Sequence, residues 1–357
     1  MFKLAIISSL VLLSSFNVYA QEKEQIEVWE EPSKSFAITK AIADFEAIND
    51  CEIKLREISS AKQLDVLKEH IKNGERIPDV MVTISDKFGE AQEDHLLMPL
   101  DFMTIDRKDY LDEAVGAFTE SGKIYAAPRS IESLVVYYNK ALLEYPYEFM
   151  DDYLKFNDKM LSEGKYGLIG KLDQFYIAYG IFSGYGAYVF GNKNGKYNVE
   201  DVGLNNDGAV KALEFIKSYS KYLPKSVLTG DGWDAVDTYF KEGKAAAVIN
   251  GPWALGDYAK SGVDYGVAPL PILKNGQAMR PFYGAKGYVV SADSKNKELA
   301  EKFLEYINRP EYALIRYSEI AELPPIKAVL ENPLITNDDF AVVKVFYCWG
   351  FLCPSGQ

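Results

Sequence analysis

The sequence predicts an α/β protein with two lobes and a cleft between them. Segments of strand and helix character alternate over residues 26–85 and again over residues 134–258. Extended runs at 134–139 and 281–294 can carry the chain between these blocks. With 357 residues the chain is long enough for two domains. Two blocks joined by two or more extended crossings form a hinge around a cleft.

The first block predicts a mainly parallel sheet. It runs strand, helix, strand, helix, strand at 26–29, 36–50, 52–58, 62–73 and 79–85. Residues at helical spacing that we expect to face the core are Ile38, Ile42, Phe45 and Ile48 on the first helix, and Leu64, Leu67 and Ile71 on the second. Ligands of such sheets bind beyond the carboxyl ends of the strands.

The second block repeats the alternation. The predicted elements are a strand at 134–139, a helix at 151–161, an aromatic and glycine-rich segment at 175–191, helices at 205–219 and 233–243, and a strand at 245–250. Asn206 or Asp207 caps the helix at 205–219, whose apolar stripe is Val210, Leu213 and Ile216. Gly243 closes the next helix. The extended run 281–294 and a helix at 297–307 return the chain to the first block; Leu299, Ala300, Phe303, Leu304 and Ile307 form that helix's apolar face.

Composition excludes several classes of function. A net charge of −13 disfavours nucleic acid and anionic membrane surfaces as partners. Two His and three Cys without zinc-type spacing predict no metal site, and no cofactor motif is present. Cys348 and Cys353 could pair in an oxidising compartment. Aromatic residues make up 13% of the chain, which suits a protein that stacks rings on a ligand.

The first twenty residues are typical of a secretory signal. A basic start, an apolar stretch from Leu4 to Phe16 and the small residues Val18 and Ala20 predict cleavage after Ala20 and export, most simply to a periplasm. The alternative is a membrane anchor, but the apolar stretch is shorter than the ~20 residues that a spanning helix needs. No Cys follows the apolar stretch, so a lipid anchor is not indicated.

Several stretches together resemble the extracellular solute-binding proteins of sugar ABC importers, in particular the maltose/maltodextrin- and cyclodextrin-binding branch. They include VWEEPSK (28–34), IPDVMVTISDKFGEA (77–91), GKIYAAPRSIESLVVYYNKALL (122–143), YFKEGKAAAVINGPWALGDY (239–258) and AELPPIK (321–327). The resemblance implies a type II periplasmic-binding-protein fold that closes over an oligosaccharide and delivers it to inner-membrane permease subunits. It implies a monomer without enzymatic activity.

The resemblance also implies lobe boundaries. The N-terminal lobe is expected over 21–130 and 287–333, and the C-terminal lobe over 135–281 and 338–357. Hinge segments are expected at 131–134 and 282–286. After about Val343 the family leads us to expect roughly fifty further residues. The tail KVFYCWGFLCPSGQ instead matches nothing in the family, so we expect a truncated or frameshifted second lobe.

Trp253 is the central candidate for the site. It follows a strand end and the Gly251–Pro252 turn, which presents the indole to a cleft. A pyranose lays its apolar face on an aromatic ring, while its hydroxyl rim needs hydrogen bonds. Family positions add further candidates: Tyr176, Tyr179 and Tyr283 as rings, and Asp86, Lys87, Glu132, Trp29, Lys34, Glu31, Asp173 and Gln174 as other contacts. Glu30 and Glu31 are expected to be exposed.

The amino-acid pattern leaves several roles open. Trp253 and Trp29 could fill cores, and Tyr176 and Tyr179 could belong to a helix face. Asp86 and Lys87 could form a solvated surface pair, and Glu132 could form a hinge salt bridge. Tyr288 is expected to pack within its strand. Ser33 and Thr83 stand where maltose binders carry a ring or a carboxylate, so cyclodextrin and galacto-oligosaccharide remain alternative ligands. A non-functional truncated relative also stays open, as does a glycoside hydrolase, which would need two carboxylates across the scissile bond.

Overall fold

A computed structural model describes residues 23–193, 196–229, 232–338 and residue 341. The predicted signal segment at 1–20, the tail after 343 and the possible Cys348–Cys353 pair lie outside the described residues. No helix within the described ranges is long and apolar enough to cross a bilayer.

Strands and helices alternate along the chain. The strands are β1 (Glu24–Glu30), β2 (Cys51–Glu57), β3 (Val80–Ile84), β4 (Thr119–Glu120), β5 (Lys123–Ile124), β6 (Ala127–Glu132), β7 (Val135–Asn139), β8 (Tyr166–Ile169), β9 (Phe190–Lys193), β10 (Lys196–Val202), β11 (Ala245–Asn250), β12 (Tyr265–Ala268) and β13 (Gly284–Val290). The helices are α1 (Thr39–Asn49), α2 (Ser60–Asn73), α3 (Ser85–Glu93), α4 (Phe102–Asp106), α5 (Asp112–Gly116), α6 (Met150–Ser162), α7 (Phe175–Gly184), α8 (Asp207–Tyr219), α9 (Trp233–Lys241), α10 (Leu255–Lys260), α11 (Lys297–Ile307), α12 (Pro310–Ile320), α13 (Lys327–Leu330) and α14 (Pro333–Thr336).

The first sheet has the strand order β2-β1-β3-β13-β6. Strand β1 runs parallel to both β2 and β3, as the alternating pattern predicts. Strand β13 arrives from much later in the chain and pairs antiparallel with β3 and β6. The chain therefore returns to its first block, as predicted for residues 281–294.

The second sheet has the order β12-β7-β11-β8. Strand β11 lies at its centre, parallel to β8 and antiparallel to β7. Every residue of β11 is buried, which explains why the AAAVIN run is apolar throughout its first five residues. Each sheet has its own hydrophobic core, so the described chain is built around two centres.

Helix faces follow the predicted periodicity in one helix and depart from it in others. All five apolar residues predicted for α11 are buried. On α8, Asn206 caps the helix by accepting a hydrogen bond from the Ala209 amide. Of the apolar stripe predicted for this helix, Ile216 packs against the second core. The prediction was wrong for Val210 and Leu213, which are more than half exposed. Helix α8 lies against α7, and its buried residues are instead Gly208, Ala209, Ala212 and Tyr219.

Two further predicted core residues are exposed. Ile48 and Ile71 each lie in the last turn of their helix and face solvent. On α2 the neighbouring His70 takes the core position. Its ring packs edge-on against Trp29 at 5.3 Å, and its Nδ1 lies 2.6 Å from the carbonyl oxygen of Arg76. These contacts turn residue 70 rather than residue 71 toward the sheet.

The two extended crossings lie side by side. Glu132 pairs with Gly284 and Ile131 with Ala285, where β6 and β13 meet. A third passage of the chain touches the same place, because Ile131 also bridges to Leu323. Ala341 packs into the first core, whereas residues 338–357 were expected in the C-terminal lobe.

Candidate functional site

The turn after β11 presents Trp253. Strand β11 ends at Asn250, whose side chain accepts from the Gly251 amide at 2.8 Å and donates to Asp237 at 2.8 Å. Tyr258 donates to the same Asp237 oxygen at 2.6 Å. Pro252 then opens a short 3-10 helix, Pro252–Ala254, that leads into α10. This network holds the turn, while the Trp253 side chain stays 46% exposed.

Gly251 makes room for the indole. A Cβ atom at this position would lie 2.2 Å from the Trp253 ring, so only glycine allows the ring to lie over the backbone there. The backbone of Gly251 is extended (φ −103°, ψ −177°), so the requirement is space rather than backbone conformation. The INGPW sequence therefore fixes where the indole sits.

Tyr176 is the neighbouring ring. It lies on the first turn of α7, and its ring centroid is 6.3 Å from that of Trp253 with a 49° tilt between the planes. A Cβ on Gly284 of the first sheet would be 3.7 Å from the Tyr176 hydroxyl. Burial raises the pKa of Tyr176, with Glu132 and Asp86 adding to the rise and Lys286 opposing it. A ring of the second lobe therefore faces charged groups of the first.

Glu132 and Lys286 belong to a carboxylate–lysine cluster, defined here as Glu31, Lys34, Glu132, Lys286 and Glu322. Lys286 Nζ lies 3.1 Å from Glu132 and 3.2 Å from Glu31. Lys34 Nζ lies 3.0 Å from both Glu31 and Glu322. Each ammonium therefore bridges at least two carboxylates, and Lys286 also lies 3.9 Å from Glu322.

A second, fully buried layer lies beneath this cluster. Arg129 donates to both oxygens of Glu30 at 2.7 Å and to Glu322 at 2.6 Å. Tyr288 donates to Glu30 at 3.0 Å. It is fully buried, as expected for a residue that packs within its strand. Glu30 is fully buried and Glu31 largely buried, so the prediction that both are exposed was wrong. The sheet end turns these side chains inward, because Arg129 and the two lysines neutralise them.

Burial and ion pairing act against each other on the pKa values of this cluster. Burial favours the neutral form of Glu322, but Arg129, Lys34 and Lys286 outweigh it and hold its pKa well below the ordinary range. The same competition, with Lys286 and Lys34 as the cations, lowers the pKa of Glu31. Burial also opposes the charge of Lys286, yet its pKa is raised because Glu132, Glu322 and Glu31 surround it. Ion pairing therefore favours the charged forms of Glu31, Glu322 and Lys286.

The remaining predicted polar residues take varied positions. Asp86 is exposed at the start of α3, and Lys87 turns along that helix to Glu90 at 3.2 Å. Asp173 pairs with the buried Lys171 at 2.8 Å, and Gln174 is exposed at the N-cap of α7.

Among the predicted rings, Trp29 and Tyr283 lie in or against the first core. Trp29 is fully buried and donates to Glu27 at 2.7 Å. Tyr283 packs against the same core. Its neighbour Phe282 instead stacks on Tyr179, with the centroids 3.8 Å apart and the planes 7° apart. Adjacent residues of an extended chain point to opposite sides, and this is the signal in PFYG that could have identified Phe282.

The structure adds residues that the sequence pattern does not mark. Lys286 and Glu322 belong to the carboxylate–lysine cluster, and Arg129 lies beneath it. Arg129 and Glu322 are 193 positions apart, and no spacing pattern links them. No metal-binding group of three His, Cys, Asp or Glu occurs within the described ranges. Pockets of about 240 and 470 Å³ lie elsewhere, and neither contains a predicted site residue.

The arrangement places exposed aromatic faces beside ionised hydrogen-bonding groups, at the place where two lobes meet. Rings of this kind suit the apolar face of a sugar, and carboxylates and ammonium groups suit its hydroxyl rim. Together the two sheets, the adjacent crossings and this site define a two-lobed carbohydrate-binding class of protein.

Comparisons with known proteins define the family. The family model described as bacterial extracellular solute-binding protein matches residues 40–341. The galactooligosaccharide-binding protein of Bacillus subtilis is 35% identical over 89% of this chain and 76% of its own length. The maltodextrin-binding protein of the same species is 38% identical over 78% of this chain and 68% of its own. The chain therefore belongs to the bacterial extracellular solute-binding protein family.

Solved structures agree on the fold. A crystal structure of a cyclo/maltodextrin-binding protein complexed with maltotetraose superposes with a TM-score of 0.80 at 30% identity. The superposition covers 90% of this chain and 84% of the cyclo/maltodextrin-binding protein. The two-lobe periplasmic-binding fold that the sequence predicts is confirmed.

Proposed function

We propose that this protein captures malto-oligosaccharides outside the cytoplasm and delivers them to the permease of an ABC importer. The single observation that carries the proposal is the Trp253–Tyr176 ring pair, which lies opposite Glu132 and Asp86. Identity to a maltodextrin-binding relative and the likeness to a maltotetraose complex support this ligand class.

The proposed mechanism is closure of the lobes on the ligand. A glucan chain lies on Trp253 and Tyr176 of the second lobe. Asp86, Glu132 and Lys286, the partner of Glu132, bind its hydroxyls from the first. The closed form is favoured by contacts that the open form does not make. The segments 131–134 and 282–286 act as the hinge between the two lobes. The closed monomer then docks on the permease.

A galacto-oligosaccharide is the second candidate ligand, because a relative named for it is 35% identical over most of the chain. Its sugar rings also have apolar faces and hydroxyl rims, so the two ligand classes differ in hydroxyl orientation rather than in kind. The carboxylates of the carboxylate–lysine cluster accept hydrogen bonds and its ammonium groups donate them. They would therefore favour the sugar whose hydroxyls point toward them.

Isothermal titration calorimetry tests the proposal. The chain without residues 1–20 is titrated with maltotriose, maltoheptaose, β-cyclodextrin and a galacto-oligosaccharide. Saturable heat with the glucans and none with the galacto-oligosaccharide is the expected result. Saturable heat with the galacto-oligosaccharide and none with the glucans would mean that the ligand is a galacto-oligosaccharide. No heat with any sugar, from a sample that melts cooperatively, would overturn the proposed function.

Two finer statements accompany the proposal. We infer cleavage after Ala20 and release into the periplasm, which mass spectrometry of the mature N-terminus checks. We also infer that the protein carries out no chemistry on the sugar. Accumulation of reducing ends from maltoheptaose in the presence of the pure protein would contradict that inference.

A further inference from the structure

Lys171 is a buried lysine of the second lobe that has no part in the proposed sugar contacts. It follows β8, and its side chain is 1% exposed. Its ammonium donates to both carboxylate oxygens of Asp173, at 3.0 and 2.8 Å, and to the carbonyl oxygen of Val227 at 2.9 Å. An ammonium has three protons, so these three oxygens can satisfy it completely. Because a buried charge is costly without such partners, the three bonds hold the ammonium in one place.

The turn that contains Lys171 leads directly to Tyr176. The Lys171 carbonyl accepts from the Gln174 amide at 2.9 Å, which closes the turn after β8. Gln174 is the N-cap of α7, and its own carbonyl accepts from the Ile177 and Ala178 amides at 3.1 and 3.0 Å. Tyr176 is the second residue of this helix. The turn around Lys171 therefore sets where α7 begins and where the Tyr176 ring lies.

The third acceptor of the ammonium links this turn to α9. Val227 lies in the 3-10 helix Lys225–Val227, which packs against α9. Gly232 is the N-cap of α9, and a Cβ atom there would lie 2.4 Å from the Val227 carbonyl oxygen. The φ of Gly232 is −56°, so the requirement is space rather than backbone conformation. Glycine thus leaves the carbonyl where Lys171 reaches it.

Helix α9 also carries the group that holds the other ring. Asp237, in the middle of this helix, accepts hydrogen bonds from Asn250 at 2.8 Å and from Tyr258 at 2.6 Å. These two residues lie on either side of the turn that presents Trp253. Helix α9 therefore holds the turn of one ring, and the 3-10 helix packed on it holds the turn of the other.

We propose that Lys171 is a positioning residue of the sugar site. Through Asp173 and Val227 it joins the turn before Tyr176 to the part of the lobe that holds Trp253. It thereby keeps the ring centroids at their spacing of 6.3 Å. Binding groups must be held within about 0.5 Å of their productive geometry by supporting residues, and Lys171 supplies that support. The inference rests on the proposed function and assigns the spacing of the rings to a buried ion pair.

The test is a double-mutant cycle measured by calorimetry with maltotriose. Lys171→Met removes the ammonium but keeps a long side chain, and Asp173 is 38% exposed, so its carboxylate can return to water. The variant is titrated alone and in a Tyr176→Leu background, which lacks the ring that Lys171 positions. The matched control is Lys155→Met, which removes an exposed lysine that also pairs with an aspartate at 2.8 Å. Circular dichroism melts establish that each variant folds.

We expect Lys171→Met to lower the affinity for maltotriose about three- to tenfold when Tyr176 is present, and less than about twofold in the Tyr176→Leu background. Lys155→Met should bind like wild type. An equal loss in both backgrounds would overturn the positioning role, because a general weakening of the fold does not depend on the ring. Wild-type affinity of Lys171→Met would overturn it as well.

Gly232→Ala is a second variant that removes no charge, and it decides the question if Lys171→Met does not fold. Its Cβ would displace the Val227 carbonyl from Lys171, so we expect the same dependence on Tyr176. Gly256→Ala is its control, since a Cβ there would meet nothing within 4 Å. A wild type that does not bind maltotriose would be a failure of the proposed function, whereas equal losses in both backgrounds of a wild type that binds would be a failure of this inference alone.

Discussion

The ammonium nitrogen of Lys286 lies 3.1 Å from a carboxylate oxygen of Glu132, at the point where two crossings of the chain pair. The same ammonium reaches Glu31 at 3.2 Å. Lys286 thus holds two carboxylates of the proposed sugar site in fixed positions while its own side chain is 11% exposed. The hydrogen-bonding rim of the site therefore depends on a residue that the sequence did not single out.

Replacing Lys286 with Met should lower both stability and affinity. Removing one partner of a buried ion cluster leaves uncompensated carboxylates, which costs about 3 kcal/mol in free energy of unfolding. Urea denaturation measures the stability, and calorimetry with maltotriose measures the affinity. The exposed pair of Lys302 and Glu298 supplies the control, because Lys302→Met should change neither quantity. A fully stable Lys286→Met variant would show that the cluster contributes nothing to the fold.

Stability should fall in acid because of Glu322. Its folded-state pKa is depressed below the ordinary value of 4.5, since Arg129, Lys34 and Lys286 outweigh the burial that opposes its charge. A depressed carboxyl pKa adds stability that is fully present above 4.5 and is lost as the pH falls toward the folded-state value. Urea midpoints measured from about pH 6 to about pH 3 should show this loss. The slope should be flatter in Glu322→Gln, and an unchanged slope would assign the acid sensitivity to other groups.

Trp253→Ala should weaken glucan binding at least about tenfold, or roughly 1.4 kcal/mol, and leave the fold intact. The ring is 46% exposed, so its loss opens no core cavity. Calorimetry and a thermal melt provide the two readouts. Tyr145→Ala, which removes an exposed tyrosine outside the candidate site, should bind like wild type. Unchanged affinity of Trp253→Ala would remove the stacking role.

Gly251→Ala should weaken binding with little effect on stability. The added Cβ would lie 2.2 Å from the indole and force the ring out of its place, whereas the extended backbone at Gly251 accepts alanine without strain. Gly256→Ala is the matched control, since a Cβ there would meet nothing within 4 Å. Equal affinities for the two variants would mean that the position of the indole does not matter for binding.

Much of the fold could be predicted from local sequence patterns. The apolar face of α11, the parallel β1–β3 group and the cap at Asn206 follow from periodicity and capping chemistry, which act over a few residues. The predicted positions of Val210 and Leu213 on α8 were wrong, because the buried face of this helix consists of Gly208, Ala209, Ala212 and Tyr219. Hydrophobic spacing alone does not encode such a choice.

The candidate site likewise contains some residues that local sequence patterns mark and others that only the folded chain brings together. Trp253 and Tyr176 could be predicted because a strand-ending turn and a family motif mark them. Glu31, Lys34 and Glu132 of the carboxylate–lysine cluster were likewise among the sequence candidates. Lys286, Glu322 and the underlying Arg129 could not be predicted, because they meet only once the crossings pair. Glu30 illustrates the difference: its sequence neighbourhood suggests an exposed loop, whereas Arg129 makes its full burial possible.

The most direct test of the central claim is a tryptophan fluorescence titration with maltotriose, on wild type and Trp253→Phe. The phenylalanine variant keeps a ring for the sugar but lacks the indole that reports it. We predict a saturable change in wild type and loss of most of that change in Trp253→Phe, although calorimetry still detects binding. The same saturable change, with the same midpoint, in both proteins would contradict the claim that the sugar lies on Trp253.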